Sequence, residues 1–175
     1  MLLNNLELGD IKSGIINVLV EVPKGGKNKY EYDETIEALR LDRILSSPIF
    51  YPTDYGFIPQ TLADDGDHLD VLIVTESPSY PGCILTVRVI GALKMSDEKG
   101  TDYKILAVVE NDPIMAKTFD IADLNEHLLK EIKHFFDDYK SLEDNKFSKV
   151  EGWENREFAL QEIERCALAY QNKKH

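Results

Sequence analysis

The chain has 175 residues, of which 43% are hydrophobic and 30% are charged, and its formal net charge is −12. This length and composition suit a globular protein, and we expect residues 1–175 to form a single domain. The acidic balance argues against nucleic-acid binding, which needs a basic face for the phosphate backbone. The sequence shows neither an apolar stretch of about 18 residues nor a signal-peptide pattern, so we expect no membrane association.

The two cysteines, Cys83 and Cys166, stand far apart and match no metal-binding spacing. Two isolated cysteines do not make a disulfide framework, and small apolar side chains of this kind usually fill cores. A reducing compartment is therefore expected, which predicts a cytoplasmic protein.

The first two thirds of the chain predict short strands. Residues 15–22 are rich in β-branched side chains and end at Pro23, and further strands are predicted at 29–32, 39–45 and 71–74. Residues 85–95 and 104–110 predict a hairpin around a turn at 97–100. The segment 51–59, with two prolines, is predicted to be irregular.

The last third predicts two helices. Apolar residues recur with helical spacing between about 124 and 140, and a second such pattern follows Gly152 and Trp153. Strands followed by helices indicate an α+β fold that is mainly β. We expect a small, mostly antiparallel barrel or sheet with two C-terminal helices packed against it.

Four aspartates lie within seven residues, at positions 64, 65, 67 and 70, directly before a predicted apolar strand. Carboxylates in contact repel each other by roughly 4 kcal/mol at an effective dielectric constant of about 20. Solvation in a surface turn can offset that cost, and so can hard divalent cations such as Mg²⁺, Mn²⁺ or Ca²⁺. An EF-hand is not indicated, because Gly66 and Leu69 do not fit its pattern.

A second acidic pair, Asp97 and Asp102, flanks the predicted hairpin turn. If the two residues lie nearly opposite each other, their Cβ atoms are about 5 Å apart, which is unfavourable for like charges. Two acidic clusters in one chain favour a shared metal site, and paired metals commonly serve phosphoryl hydrolysis. Lys104 shares a strand face with Asp102 and could meet the same ligand.

Other charged residues break apolar patterns. Arg43 falls on the apolar phase of its strand, and Glu21 interrupts an apolar run. Lys29 and Glu31 share one strand face, whereas Tyr139 closes the apolar face of the first helix and by pattern belongs to the core. A snorkelling arginine explains Arg43 as well as a phosphate ligand does. The residues together support a metal-dependent enzyme acting on a small phosphate compound.

Six stretches of the sequence resemble the motifs of the soluble family I inorganic pyrophosphatases in their short bacterial form. They are VEVPKGGKNKYEYD at 20–33, YPTDYGFIP at 51–59, DGDHLDV at 65–71, DEKGTDYK at 97–104, FFDDYK at 135–140 and KVEGW at 149–153. The resemblance runs from about residue 15 to the C-terminus. It implies a five-stranded OB-like antiparallel barrel with helices beside it. It also implies hydrolysis of pyrophosphate to two phosphates, with Mg²⁺ as the usual metal and Mn²⁺ or Zn²⁺ as possible substitutes.

The resemblance also implies a role for each matching residue. Asp65, Asp70 and Asp102 would bind the first metal, Asp70 would bridge to a second, and Asp97 would join when more Mg²⁺ arrives with substrate. Asp67 resembles the general base for a water or hydroxide activated between two metals. The side chains that would bind the phosphate groups are Lys29, Arg43, Tyr139 and Lys140. Tyr55 and Lys104 would make supporting contacts to the substrate or the nucleophile. An outer metal shell would consist of Glu21, Glu31 and Glu98.

His68 departs from the family pattern, which normally has proline at this place in the aspartate motif. Proline would stiffen the loop by fixing φ, whereas histidine adds a group that titrates near neutral pH. A tolerated loop substitution is one interpretation. Our hypothesis is a modest change in metal affinity or in the pH profile.

The family resemblance also predicts an assembly. Bacterial members usually form hexamers of two trimers, partly through the first long helix, and His134 matches a histidine at such an interface. Asp138 occupies the place of the second common interface histidine. We therefore expect a homohexamer, and its response to pH stays open.

Two other functional classes stay open. Another metal-dependent phosphohydrolase, acting on nucleotides or polyphosphate, would need a base or ribose pocket, and no glycine-rich phosphate loop is present in the sequence. A metal-binding or OB-type binding module would need aromatic residues combined with a basic groove if its ligand were nucleic acid. The acidic balance and the presence of Asp67 favour the enzyme.

Overall fold

The computed structural model describes residues 5–173. A short 3-10 turn, Ile121–Asp123, precedes the first helix, and a strand separates the two helices. The strands are β1 (Gly9–Asp10), β2 (Ile15–Val22), β3 (Asn28–Asp33), β4 (Ala38–Ile44), β5 (Asp54–Phe57), β6 (Asp70–Val74), β7 (Ile84–Asp97), β8 (Gly100–Val109) and β9 (Ser148–Asn155), and the helices are α1 (Glu126–Asp138) and α2 (Arg156–Lys173). In residues 5–173 no helix is long and apolar enough to cross a membrane.

Five strands close into a barrel. β2 pairs with β5 on one side and with β7 on the other, and the ring is completed by the pairs β5–β6, β6–β8 and β8–β7. Strands β1 and β9 extend the sheet, whereas β3 and β4 form a hairpin of their own. The predicted α+β fold with a five-stranded, OB-like barrel and two packed helices is confirmed. One pairing, β6 with β8, is parallel.

Strand β6 is buried on both faces, which explains why its sequence is continuously apolar. Val71 and Ile73 pack in one core with Ile163 of α2. Leu72 packs in a second core with Phe136 of α1. Each helix therefore covers one core, and the acidic loop before β6 starts from a strand that is held on both sides.

The segment 51–59 was predicted to be irregular, but it contains β5. Gly56 allows this strand to approach β2 closely, because a Cβ atom at this position would lie 1.9 Å from the carbonyl oxygen of Leu19. Glycine and proline are uncommon inside strands, so the sequence pattern predicted no strand here. The close approach of β5 to β2 nevertheless requires glycine at position 56. Strands β1 and β9 also lack the alternation that would have predicted them.

The register of the β7–β8 hairpin corrects one prediction. Asp97 pairs with Gly100, and Asp102 pairs with Met95, so the two aspartates are not opposite each other. The strands extend closer to the turn than expected and leave only Glu98 and Lys99 between them. Because the side chains alternate, Asp97 and Asp102 still share a face as diagonal neighbours.

Helix α1 begins after Asn125, whose side chain accepts a hydrogen bond from the backbone N–H of His127. It ends at Asp138, two residues before the predicted end, and Tyr139 caps it by donating its N–H to the carbonyl oxygen of Phe135. Cys83 and Cys166 are both free thiols, and Cys166 lies on the buried face of α2 as part of the core.

Candidate active site

A cavity of about 820 Å³ opens between the barrel, the β3–β4 hairpin and the end of α1. Every residue that the sequence predicted for the catalytic, substrate-binding or metal site lines this cavity. They are Glu21, Lys29, Glu31, Arg43, Tyr55, Asp65, Asp67, Asp70, Asp97, Glu98, Asp102, Lys104, Tyr139 and Lys140. Residues from seven strands, two loops and one helix end thus meet in a single place.

The loop that carries Asp65 and Asp67 turns at Gly66, whose φ of 93° suits glycine. The backbone N–H of Asp67 donates to Asp65 Oδ1 at 3.1 Å, which keeps the two residues together. Burial raises the pKa of Asp67, and the neighbouring Asp65 adds to that shift. Asp64 points elsewhere and pairs with Arg165 of α2 at 2.8 Å.

Lys104 joins two of the predicted metal ligands. Its Nζ lies 2.6 Å from Asp70 Oδ2 and 2.9 Å from Asp102 Oδ2, and the side chain is 4% exposed. Burial alone would lower the pKa of Lys104, but Asp102 and Asp70 raise it well above its ordinary value. Burial also raises the pKa of Asp102, although Lys104 opposes that shift. The ammonium group therefore offsets part of the repulsion between these carboxylates.

Lys140 makes a similar arrangement at the β7–β8 turn. Its Nζ donates to Asp97 Oδ2 at 2.8 Å and to Glu98 Oε1 at 3.2 Å. Burial opposes the charged form of Asp97, but the bond from Lys140 lowers the pKa of Asp97. The same bond raises the pKa of Lys140 above its ordinary value, against the effect of burial. Tyr139 is buried in the core and also lines the cavity.

The β3–β4 hairpin contributes the other cations. Lys29 forms an ion pair with Glu31 on the same strand and lies 3.8 Å from Asp42. Arg43 Nη1 is 3.5 Å from Asp42 Oδ2, and Arg43 Nε is 3.6 Å from Glu143 Oε1. Among the described residues the buried Nε of Arg43 has no hydrogen-bond partner. A buried donor of this kind is available to an anion in the cavity.

Two further groups stay protonated because they are buried. Burial raises the pKa of Glu21 to about 8, although its carboxylate accepts the backbone N–H of Tyr32 at 2.8 Å. Burial, with Asp70 nearby, also raises the pKa of Tyr55 well above its ordinary value. Tyr55 therefore keeps its hydroxyl hydrogen and can donate to an oxygen atom in the cavity.

The cavity also includes residues for which the sequence predicted no role. Tyr51 packs against Tyr55 with ring centroids 5.2 Å apart, and Lys146 pairs with Glu143 at 2.8 Å. Tyr170 and Lys173, from the end of α2, complete the wall. Tyr51 begins the motif at 51–59, which could have identified it as a site residue. Lys146 and Lys173 lie in no such motif, and only the tertiary structure brings them to the cavity.

The charges of the cavity fit a divalent cation. Ten acidic and seven basic side chains line it, so a phosphate anion alone would meet net repulsion. The acidic groups offer only oxygen atoms, which suit hard cations such as Mg²⁺. In residues 5–173, as they are arranged, no three His, Cys, Asp or Glu side chains are close enough to hold a metal together. Lys104 and Lys140 instead each contact two carboxylates.

A barrel whose cleft combines oxygen donors with lysine, arginine and tyrosine is typical of metal-dependent enzymes that act on phosphates. Comparison with known proteins identifies one family within this class. The family model described as inorganic pyrophosphatase matches residues 18–171. The chain belongs to the inorganic pyrophosphatase family.

Individual relatives agree with the family model. An inorganic pyrophosphatase from Thermus thermophilus is 46% identical over 170 residues, which are 96% of this chain and 97% of the relative. A crystal structure of the Thermus thermophilus enzyme superimposes with a TM-score of 0.94 at 46% identity and covers 98% of this chain and 99% of that one. The Helicobacter pylori enzyme gives a TM-score of 0.91 at 40% identity, covering 95% and 99%.

Proposed function

We propose that the chain hydrolyses inorganic pyrophosphate to two phosphates in this cavity, with Mg²⁺ as the cofactor and Mn²⁺ or Zn²⁺ as possible substitutes. Membership of the inorganic pyrophosphatase family supports the reaction. The observation that carries the proposal is the convergence of every predicted site residue on one cavity. The excess of carboxylates there supports a divalent cation as an obligatory partner of the anionic substrate.

In this proposal Asp65, Asp70, Asp97 and Asp102 hold the metal. Bound Mg²⁺ would neutralise charge on the phosphates and acidify water. Asp67 accepts the proton of the attacking water, as a general base. Partial shielding from solvent and the neighbouring Asp65 support this role, because both raise the pKa of Asp67 and a raised pKa makes a carboxylate a stronger base.

The remaining residues bind and orient the two phosphates. Lys29, Arg43 and Lys140 supply charge, and the fork of Arg43 can meet two phosphate oxygens at once. Tyr55 and Tyr139 donate through hydroxyl groups without adding charge, and Lys104 contacts both substrate and ligands. Glu21, Glu31 and Glu98 orient the others, as the ion pair of Glu31 with Lys29 and the bond of Glu98 with Lys140 suggest.

The same proposal includes a homohexamer in the cytoplasm, built from a single domain spanning residues 1–175. His134 is 72% exposed on α1 and contacts Asp138 at 2.9 Å, so this helix face is accessible to a second copy. Two free cysteines are compatible with a reducing compartment. Sedimentation of the protein across a range of concentrations would measure the assembly.

The first experiment measures phosphate release from pyrophosphate with Mg²⁺, from ATP with Mg²⁺, and from pyrophosphate with Ca²⁺ instead. We expect fast release from pyrophosphate with Mg²⁺, little from ATP and inhibition by Ca²⁺. Preferred release from ATP would favour a nucleotide phosphohydrolase. Binding of pyrophosphate without release under any metal would favour a binding module.

A further inference from the structure

His68 lies in the middle of the acidic loop, and its ring is packed rather than free. The ring stacks on Phe57 with centroids 4.8 Å apart and planes at 9°, and Tyr170 lies 5.8 Å away. Nδ1 is 2.7 Å from the carbonyl oxygen of Thr61. Because a carbonyl oxygen can only accept, Nδ1 donates in this contact, and Nε2 donates to a carboxylate when the ring carries hydrogen on both nitrogens.

The other ring nitrogen reaches a different part of the fold. Nε2 of His68 lies 2.9 Å from Oε1 of Glu34, a residue 34 positions earlier in the turn between β3 and β4. The His68 side chain is 15% exposed, and that of Glu34 is 63% exposed. One imidazole therefore connects the acidic loop with the tip of the β3–β4 hairpin.

The hairpin has few other means of holding its position. β3 and β4 pair only with each other among the described strands, and no residue in either strand is fully buried. Near the tip the hairpin contacts the barrel through the N–H of Tyr32, which donates to Glu21, and through the Tyr32 and Phe57 rings, 6.3 Å apart. Leu39 of β4 also packs there against Leu19 and Phe57. Yet the base of the hairpin carries Lys29 and Arg43, which line the cavity.

We propose that His68 is a positioning residue, which fixes the β3–β4 hairpin over the cavity through Glu34 and thereby raises the affinity for the phosphate groups. The inference rests on the proposed function, since it assigns a task within that site. It gives His68 no part in holding metal, because its ring contacts are with Thr61, Glu34, Phe57 and Tyr170. A proline at position 68 would restrict the loop by fixing φ. His68 instead restrains the loop through its contact with Glu34.

The cleanest test is Glu34→Ala, which removes the tip contact and leaves the acidic loop and the His68 stacking in place. We expect KM for pyrophosphate and Kd for methylene bisphosphonate, a non-hydrolysable analogue, to rise about three- to tenfold. We expect kcat to stay within about twofold, because the reacting groups lie elsewhere. Mg²⁺ affinity, measured by calorimetry without the analogue, should stay at the wild-type value.

The sign of this effect separates positioning from simple electrostatics. Glu34 lines a cavity that is already acidic, so removing its charge without any positioning effect would tighten the binding of an anion. Glu34→Gln keeps an acceptor oxygen and should restore most of the lost affinity. Glu76→Ala removes a different exposed carboxylate and should match wild type.

A double-mutant cycle tests whether His68 is the partner. His68→Phe keeps an aromatic ring against Phe57 but loses both hydrogen bonds, and adding Glu34→Ala to it should weaken analogue binding no further. Amide hydrogen exchange of residues 28–44 should increase in each variant, which is a readout independent of activity.

The outcomes for the two proposals differ. If wild-type protein neither binds the analogue nor hydrolyses pyrophosphate, the proposed function fails, while the exchange measurement still tests the contact. If wild type is active but Glu34→Ala binds the analogue equally well or more tightly, the positioning role is overturned. An equal loss of Mg²⁺ and analogue affinity would also overturn it, because the effect would then lie in the acidic loop.

Discussion

The two sides of the cavity are built differently. On the barrel side, Asp70 begins the buried strand β6, and Asp102 lies on β8, where residues 105–108 are fully buried. On the hairpin side, Lys29 and Arg43 lie on β3 and β4, whose residues are all partly or fully exposed. Asp70 and Asp102 therefore lie on strands that the cores hold, whereas Lys29 and Arg43 lie on a hairpin with no fully buried residue.

This difference matches what each side would bind. A small cation needs several oxygen atoms at nearly fixed distances, and a strand buried on both faces can hold them. A phosphate group presents many acceptor oxygens, so lysine and arginine on a less constrained hairpin can still meet it. Changes on the barrel side should therefore alter turnover and stability, and changes on the hairpin side should alter substrate affinity.

Asp67→Asn should have the largest effect. Loss of the general base should lower kcat by about 10²- to 10⁴-fold, whereas the Kd for methylene bisphosphonate should change only a few-fold. Steady-state kinetics and calorimetry on the same preparation measure both. Asp64→Asn is the matched control, because Asp64 pairs with Arg165 away from the cavity. Turnover retained in Asp67→Asn would assign the base to another group.

A pair of substitutions compares the stability of the two sides. Ile73→Ala removes a fully buried side chain from β6 and should cost about 2–5 kcal/mol of unfolding free energy. Leu41→Ala on β4, where the side chain is 48% exposed, should cost less than about 0.5 kcal/mol. Urea denaturation in the presence of a chelator measures both. Equal costs would mean that the hairpin is as firmly packed as the barrel.

Arg43→Lys should act on substrate affinity. Lysine keeps the charge but loses the planar fork, so KM for pyrophosphate should rise about tenfold with a smaller change in kcat. Arg40→Lys is the control, since Arg40 lies on the same strand, is 63% exposed and pairs with Asp33. A fall in kcat at unchanged KM would place Arg43 in the transition state rather than in binding.

Glu21 should make the unfolding free energy depend on pH. Its pKa is raised from 4.5 to about 8 by burial, so between these values the folded chain holds a proton that the unfolded chain has lost. The stability contribution is thus fully present below about pH 4.5 and is lost as the pH rises through 8. Glu21→Gln should reduce the decline in unfolding free energy over this range by about 1 kcal/mol per pH unit.

Denaturation in a chelator at pH 5, 6, 7 and 8 would measure this slope. Glu76→Gln, at an exposed site, should follow wild type. The same slope in wild type and in Glu21→Gln would show that Glu21 does not carry the proton.

Local chemistry made much of the molecule predictable. The β-branched run of β2 and the helical spacing of α1 gave elements close to the observed bounds. Residues two positions apart on a strand share a face, which predicted the pairs Lys29–Glu31 and Asp102–Lys104. Both pairs are in contact. The acidic motif and its resemblance to a family gave the candidate site, and all of its residues line one cavity.

Other features were beyond sequence reasoning, because they depend on contacts between distant segments. β5 exists because Gly56 lets it lie against Leu19, and the hairpin register decides that Asp97 and Asp102 are diagonal neighbours. Tyr139 belongs to both the core and the cavity wall, a combination that helical spacing cannot distinguish.

The sequence by itself therefore determined the strand and helix types and the chemistry of the site, since alternation, helical spacing and side-chain type are local properties. The tertiary structure alone decided which charges meet. Lys104 neutralises two carboxylates, Lys140 reaches Asp97, and His68 meets Glu34 across 34 residues. These pairings follow from the closure of the barrel and the position of the hairpin, which no local stretch of sequence encodes.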